Sequence, residues 1–426
     1  MKASAGTSTP VERTRVALEK PTRVLLVVSR DPAERRTLTR VALAAGVGIA
    51  DTIATDDTRS FVEIAQAIRD ASPDAVVVRG GARDAPELAV VMEALRLACA
   101  SRRPPPVVLA FADPRVVSAL TAVSRPFDFA SFSEFAATVQ ALRRLRRADA
   151  TSREEMIEDG ARALAKARAG GALAVDVSES STSLVMARAN GAIDAAHFAA
   201  LGLGTGDQLV ARAGLDRVRR WLPWPLDAPA LLERVFSRVG YPLPLLASNE
   251  AIQLEMALAR EAIAHALADA ETAGFDVAAM RRARSILVTG RAASFRRRTD
   301  SLTVLVDGLE PNGVSTVFRE PDDGGAERLA LVVAFEPKRR VKIRFTHAEG
   351  RSEYRVDPGA LLLVPLNGPV AVSGRGAVRG HGEAGIAGVL IDARPRPLTL
   401  PERDAERLPL VGTWNAALRP TPRGAT

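Results

Sequence analysis

Asp176, Ser178, Ser181 and Thr182 stand in the stretch GALAVDVSESSTSLVMARANG over residues 171–191. There an acidic residue ends a short apolar strand, and a Ser/Thr-rich turn leads into a second strand closing on Asn190-Gly191. That arrangement is the outline of a phosphate-binding hairpin. A carboxylate at the strand end can hold the water shell of magnesium, a glycine two residues on lets backbone amides approach phosphate, and a following hydroxyl donates to it. Asp176 is the metal-side carboxylate in this scheme, Ser181 and Thr182 supply hydroxyls, and Ser178 stands where the glycine belongs. A Cβ at a turn position that needs positive φ costs about 1–2 kcal/mol and fills the space of an approaching oxygen. The sequence therefore predicts a recognisable but damaged site.

Three further segments could complete it. LGLGTG over 201–206 brings Gly202 and Gly204, whose amides could meet phosphate; SILVTGRAASF over 285–295 is a strand running into Gly290 at a helix start; LVDGLEPNGV over 305–314 is a further turn. Taken singly, an LGLG is more often an ordinary turn and Gly290 as often a packing glycine, so order and spacing carry the argument. Other chemistry is less well supplied. His197, His265, His347 and His381 lie far apart with no cysteine or carboxylate at metal-ligand spacing and read as surface or packing residues. Cys99 falls in an apolar helical pattern, as an inert buried thiol does. No Gly-x-Ser-x-Gly elbow or Walker loop occurs, and no Gly-x-Gly-x-x-Gly fingerprint follows Val28.

The elements that must position these residues are legible as changes of period. After a polar leader, expected to be disordered over residues 1–21, RVLLVVS (23–29) reads as a buried strand followed by a helix through Ala45. Helices over 61–71 and 85–98 then alternate with strands over 74–78 and 106–111, which is βαβ logic and predicts a parallel sheet. VLLVVSRDP opens like a response-regulator receiver, but the third strand ends on Val78-Arg79 and offers no carboxylate for phosphorylation. Gly80-Gly81 could in principle seat an anion before the next helix, but without a fuller glycine pattern a plain turn is the favoured reading. Residues 131–170 read as a charged helical linker. Strands over 172–177, 183–189 and 192–199 follow, then a helix capped by Ser248 with Ile252, Met256, Ala259, Ile263 and Leu267 on one face and Glu250, Glu255 and Arg260 off it. From Arg328 the period drops to two, with LALVVAF, VKIRFTH, SEYRV, ALLLVPL, VAVSG and IAGVLID punctuated by glycine turns. A Gly-rich flexible loop over 374–388, carrying Arg375, Arg379 and His381, reads equally as a binding element or as tight turns between strands, and a Pro-rich tail from Pro395 as a surface segment.

With 426 residues, 47% of them hydrophobic, the chain has material for several cores. A single cysteine excludes an internal disulfide, and no apolar run approaches the roughly 18–20 residues of a membrane-spanning helix. A cytoplasmic protein without membrane contact is expected. The net charge of +8 is spread over clusters at Arg143, Arg144, Arg146 and Arg147, at Arg281, Arg282 and Arg284, and at 296–298. None is interleaved with aromatics, which form only 4% of the chain, so a solvated basic face is expected rather than a nucleic-acid site.

On the segments RVLLVVSRD to DAVVVRGG, ALAVDVSESSTSLV, LGLG with RRWLP, EAIQLEMALAREAIAHAL, ILVTG, LVDGLEPNGVSTV and GVLIDARPRPLTLPERDAERL, the chain resembles the glutamate-mutase-associated MutL-type proteins of the actin-like ATPase superfamily. It departs from them at Ser178, at Ala200 where an acidic residue is expected, and at Arg291 where a second glycine is expected. It also begins after an N-terminal actin-like segment of the family, as a truncated or shortened member would. The resemblance implies an α/β plus β protein: a doubly wound Rossmann-like α/β domain over 22–150, an actin-like (ribonuclease H-like) domain over 171–320, an antiparallel β-sandwich or barrel over 328–395 and a tail over 396–426. It implies a degenerate ATP and magnesium site on Asp176, Ser178, Ser181, Thr182, Gly202, Gly204 and Gly290, with Asp176 on the metal. It further implies an accessory protein for a partner, such as a subunit of an adenosylcobalamin-dependent mutase, with at most weak ATP turnover. Two alternatives remain: a working ATPase or chaperone in which the Ser178 hydroxyl takes over the glycine's part, and a scaffold that needs no nucleotide.

Overall fold

Near the N-terminus short apolar runs form strands that alternate with helices. The computed structural model of the protein describes residues 22–100, 105–111, 114–123, 127–132, 134–145, 153–199, 201–239, 248–320, 326–374 and 378–418. The expected leader over 1–21, Ala200, Arg146, Arg147, Arg375 and residues 419–426 lie outside these ranges, as do the side chains of Arg143 and Arg144. In chain order, β1 (Arg23–Val28), α1 (Pro32–Ala44), β2 (Gly48–Ala54), α2 (Phe61–Ala71), β3 (Ala75–Arg79), α3 (Ala85–Ala98), β4 (Val107–Ala110), α4 (Pro114–Val123), β5 (Phe129–Ser131) and α5 (Phe135–Leu145) alternate. Their strands form one parallel sheet in the order β2-β1-β3-β4-β5. β1 is continuously apolar because both of its faces are covered, Leu25 and Val27 packing with Ile64 and Leu88, Leu26 and Val28 with Leu38 and Val41. Asp31 caps α1 by accepting from the Ala33 amide at 2.9 Å, and Ser60 with Glu63 makes a capping box on α2. β2 escapes the sequence pattern because GIADTIA, at the sheet edge, has no apolar run.

The second part opens with α6 (Arg153–Ala167), then β6 (Ala172–Val177), β7 (Ser181–Ala187), β8 (Ile193–Ala199), α7 (Gly206–Ala213), α8 (Leu215–Arg219), α9 (Ala228–Val239), α10 (Asn249–Thr272), α11 (Val277–Arg281), β9 (Ser285–Gly290), α12 (Arg298–Leu309) and β10 (Gly313–Glu320). It continues through β11 (Glu327–Ala334), β12 (Val341–His347), β13 (Gly350–Val356), β14 (Leu361–Val364), β15 (Gly368–Gly374), β16 (Val378–Ala384), β17 (Gly388–Asp392) and α13 (Asp404–Ala417). Eight strands make one sheet in the order β14-β17-β11-β10-β9-β6-β7-β8. β6, β7 and β8 form an antiparallel meander, and β9 and β10 add parallel on the other side of β6. The protein is thus mixed α/β, with one parallel sheet and others containing antiparallel strands.

α6 belongs to this sheet, although its charge suggests a linker. Ile157, Ala161 and Ala165 pack on Ala174, Val185 and Leu287, and Gly160 permits the approach, since a Cβ there would lie 3.3 Å from Leu287 Cδ2. α10 covers the opposite face. It is buried almost all round, so Glu255 and Arg260, which the helical pattern places away from the core, are themselves buried. Their charges are met by partners from other elements: Arg291 Nη2 lies 2.9 Å from Glu255 Oε1, and Arg260 Nε donates to Asp307 Oδ2 at 2.8 Å.

The division expected between 320 and 328 falls between β10 and β11, which are hydrogen-bonded neighbours in a single sheet. β11, β17 and β14 extend that sheet, while β12, β13, β15 and β16 form a four-stranded sheet in the order β13-β12-β15-β16. Ile343, Phe345 and Val372 of the smaller sheet pack on Leu331, Val333 and Ile391 of the larger, a sandwich built partly from shared strands. The expected flexible loop over 374–388 contains a strand, β16, paired along its length with β15. Its glycines let it cross close over β10 and β11: a Cβ at Gly380 would come within 2.8 Å of Val314, and one at Gly382 within 2.9 Å of Thr316. The described part of the tail holds a helix, α13, with one face packed on the preceding elements. α13 seats Val411 and Trp414, and Arg407 donates to the carbonyls of Arg219, Arg220 and Leu222 where α8 ends.

Candidate functional site

The seven residues expected to form a nucleotide site meet at one end of the eight-stranded sheet, because β6 and β9 are parallel neighbours whose ends lie side by side, Val177 opposite Gly290. The turn after β6, the turn after β8 and the turn after β9 pack on each other there. How their polar groups are used decides what the arrangement can do.

Asp176 is fully buried and saturated. Arg153, the first residue of α6, donates from Nη2 to Oδ1 at 2.7 Å and from Nε to Oδ1 at 3.2 Å and Oδ2 at 3.1 Å. Thr289 Oγ1 adds a bond to Oδ1 at 2.7 Å. A bidentate guanidinium thus holds the carboxylate that the hairpin pattern would give to magnesium. Gly290, at φ +71°, is required by this crowding, since a Cβ would lie 2.6 Å from the Val177 carbonyl and 2.7 Å from both Asp176 Oδ1 and Arg153 Nη2.

The first turn closes around Ser178. Its hydroxyl accepts from the amides of Ser181 at 3.1 Å and Ser180 at 3.3 Å, and its own amide donates to the Ser181 carbonyl at 2.9 Å. The expectation of strain here is corrected, because among the described non-glycine residues positive φ occurs only at Ser72, Ala169 and Glu310. The hydroxyl fills the turn, and backbone strain plays no part.

The second turn is spent on the first. The amides of Leu203 and Gly204 donate to the carbonyls of Ser178 at 2.9 Å and Glu179 at 2.8 Å, and the Gly202 amide donates to Thr205 Oγ1 at 3.0 Å. A Cβ at Gly202 would overlap the Glu179 carbonyl, so this glycine serves a backbone-to-backbone approach. Thr182 Oγ1 donates to the Leu201 carbonyl at 2.6 Å. After β9 the Arg291 amide donates to the Val177 carbonyl at 2.8 Å. The Arg291 side chain spans Glu255 and Glu179, with Nε 3.8 Å from Glu179 Oε1.

ATP with magnesium does not fit these residues as they stand. The amides that would cradle phosphate donate to carbonyls and hydroxyls of neighbouring turns, and arginine takes both oxygens of the metal-side carboxylate. Arg153 and Thr289 were not foreseeable from motif spacing, since Arg153 lies 23 residues before Asp176 and Thr289 lies 113 after it. Arg291 is marked by its departure from glycine, and it pairs with the buried Glu255.

Other chemical groups are accounted for structurally. His197 Nδ1 lies 2.8 Å from Ser183 Oγ and Nε2 lies 3.3 Å from Glu158 Oε1, a buried chain that ties α6 to β7 and β8. Arg79 pairs with Glu34 and lies 4.3 Å over the Phe111 ring, and the Gly81 amide donates to Asp84 at 2.9 Å. Cys99 is buried. Among the described residues no group of three or more His, Cys, Asp or Glu could hold a metal ion, and no helix is long and apolar enough to cross a membrane.

No family model matches the chain, and no curated protein matches it. Among solved structures, a CheY-like protein (tadZ) from Pseudomonas aeruginosa PAO1 is similar at 18% identity, the alignment covering 29% of this chain and 98% of that one with a TM-score of 0.22.

Proposed function

We propose that the protein is a nucleotide-independent accessory protein of actin-like fold, of the glutamate-mutase-associated MutL type, which works by binding a protein partner in the cytoplasm. The observation that carries this reading is the Arg153–Asp176 pair: the carboxylate that would organise magnesium is neutralised from within by a side chain of the same chain. An antiparallel meander extended by two parallel strands, in the order β8-β7-β6-β9-β10, supports the actin-like, ribonuclease H-like part of the reading. The mutase subunit as partner rests on the family resemblance alone.

Calorimetric titration of the full chain with ATP and magnesium is expected to show no saturable binding, and turnover is expected to equal a protein-free control. Saturable binding or turnover that Asp176→Ala abolishes would overturn the reading in favour of a working ATPase. For the partner, a tagged chain purified from its native host is expected to retain a subunit of an adenosylcobalamin-dependent mutase. Failure to retain one, with the fold intact, removes the mutase from the proposal.

A further inference from the structure

The four-stranded sheet has one face buried against β11 and β17, and its other face is exposed. Strand alternation sorts the residues strictly. Ile343, Phe345, Val356, Val370 and Val372 point inward, while Lys342, Arg344 and Thr346 of β12 point out. The register aligns the outward set into rows. Lys342 lies opposite Arg355 and Thr346 opposite Arg351, and a third row runs Glu353, Arg344, Ser373, Arg379. His381 is exposed opposite Ala371.

The charge on this face is one-sided. Five cations, Lys342, Arg344, Arg351, Arg355 and Arg379, share this face with two carboxylates, Glu353 and Glu383, and Glu383 is engaged by Arg168 and Arg328. Glu353 pairs with Lys342 at 2.9 Å and Arg344 at 3.2 Å, so its charge is used within the face. Arg351, Arg355 and Arg379 have no carboxylate partner among the described residues. Bulk is distributed as unevenly as charge. Only β15 carries short outward side chains throughout, Ala371 and Ser373 among them, while the cations stand on β12, β13 and β16. The face is a basic surface whose cations are spread over three of its four strands.

We propose that this basic face is a docking surface for an extended, carboxylate-rich polypeptide segment of the partner. The proposal rests on the binding role proposed above only in taking the occupant to be protein. Its size favours a segment over a domain. Strands of seven residues span about 23 Å and four strands about 15 Å, or roughly 350 Å², less than half of the ~800 Å² that one side of a standard interface contributes. Charge complementarity favours an acidic one. Its spacing suits an extended chain, because Arg351 and Arg355, four residues apart on β13, lie about 13 Å apart, twice the spacing of alternate side chains in an extended peptide. A nucleic acid is the less suited occupant. Single strands bind sheet faces by stacking bases on aromatic rings, and both rings of this sheet, Phe345 and Tyr354, pack edge-to-face at 5.7 Å on the inner side.

The test is fluorescence anisotropy of the full chain with labelled poly-glutamate, a mixed-sequence single-stranded oligonucleotide and vesicles containing phosphatidylserine. Poly-glutamate is expected to bind, with an affinity that falls as salt rises and drops about tenfold or more in Arg351→Glu with Arg379→Glu. Both positions are exposed, so the variant is expected to fold, and Arg351→Gln with Arg379→Gln serves in its place if it does not. Equal affinity of parent and variant for poly-glutamate overturns the proposal. So does an oligonucleotide or vesicle bound more tightly than poly-glutamate and lost in the same variant. None of these results depends on ATP, so failure here leaves the nucleotide-independent reading to be judged by its own titration.

Discussion

Arg153 and Asp176 form a bidentate ion pair in which both carboxylate oxygens accept, at 2.7 to 3.2 Å, from the first residue of α6. Asp176 is wholly buried whereas the Arg153 side chain is 35% exposed, so the two ends of the pair are worth different amounts. Removing the arginine leaves a buried carboxylate on one remaining hydroxyl; removing the carboxylate leaves an arginine that can turn to water. Arg153→Ala is therefore expected to destabilise the fold more than Asp176→Ala. Partial exposure of Arg153 limits the coupling energy from the double variant to about 1–3 kcal/mol. Urea unfolding of the four proteins measures this. A coupling near zero would show that the pair is incidental.

Gly202 and Gly191 separate two reasons for a glycine. Gly191 has φ +84° in the β7–β8 turn with nothing within 4 Å of a Cβ, whereas a Cβ at Gly202 would overlap the Glu179 backbone. Gly191→Ala is expected to cost about 1–2 kcal/mol through conformation alone. Gly202→Ala must push two turns apart, breaking the Leu203 and Gly204 hydrogen bonds, and is expected to cost about 3 kcal/mol or more. Thermal unfolding decides, and equal losses at the two positions would show that the turns are not packed as described.

Much of the fold can be read from the chain. The helix over Phe61–Ala71 carries its own capping box, Ser248 caps α10, and Asn190-Gly191 marks a hairpin, so local chemistry alone places these ends. The convergence of the β6, β8 and β9 turns follows from motif order. What motifs cannot reveal is who satisfies whom. That the Ser178 hydroxyl serves two amides of its own turn, or that Arg153 reaches back to Asp176 from a helix resembling a linker, depends on packing between segments distant in sequence. β16 was misread for the same reason: VRGHGEA resembles a loop until β10 and β11 lie beneath it and demand residues without side chains.

Ser178 gives a direct contrast with a phosphate turn. If the position needed glycine, Ser178→Gly would relieve strain and stabilise the hairpin. Its φ is not positive and its hydroxyl serves the Ser180 and Ser181 amides, so Ser178→Gly and Ser178→Ala are both expected to lose about 1–2 kcal/mol, glycine the more of the two. A gain in unfolding midpoint for the glycine variant would contradict this.

Asp392 and Arg394 tie the end of β17 to α12 and α13. Arg394 donates from Nε to Asp392 Oδ1 at 2.8 Å and from Nη2 to Oδ2 at 2.9 Å. It also lies 2.8 Å from Asp307 Oδ1 and stacks 4.7 Å over Trp414. Burial alone would raise the Asp392 carboxyl, but Arg394 and Arg396 outweigh it and hold it below the usual carboxylate range. A carboxylate depressed in the folded state binds fewer protons there than in the unfolded chain, so its contribution is complete above the unfolded pKa of about 3.9 and is lost as pH falls through the folded value. The parent protein is therefore expected to lose this contribution only below about pH 4. Arg394→Ala leaves two buried carboxylates short of a partner and is expected to cost about 3–5 kcal/mol at neutral pH. With burial then opposed mainly by Arg396, the depression of Asp392 shrinks, so the acid-induced loss becomes smaller and is complete nearer pH 4. Arg394→Lys keeps the charge without the fork and falls between the two. Arg396→Gln, at a more exposed position with Oδ2 of Asp392 2.8 Å away, gives a milder shift in the same direction should Arg394→Ala fail to fold. Unfolding midpoints measured against pH provide the comparison. Acid limbs that superimpose for the parent and Arg396→Gln would show that these arginines do not set the Asp392 titration.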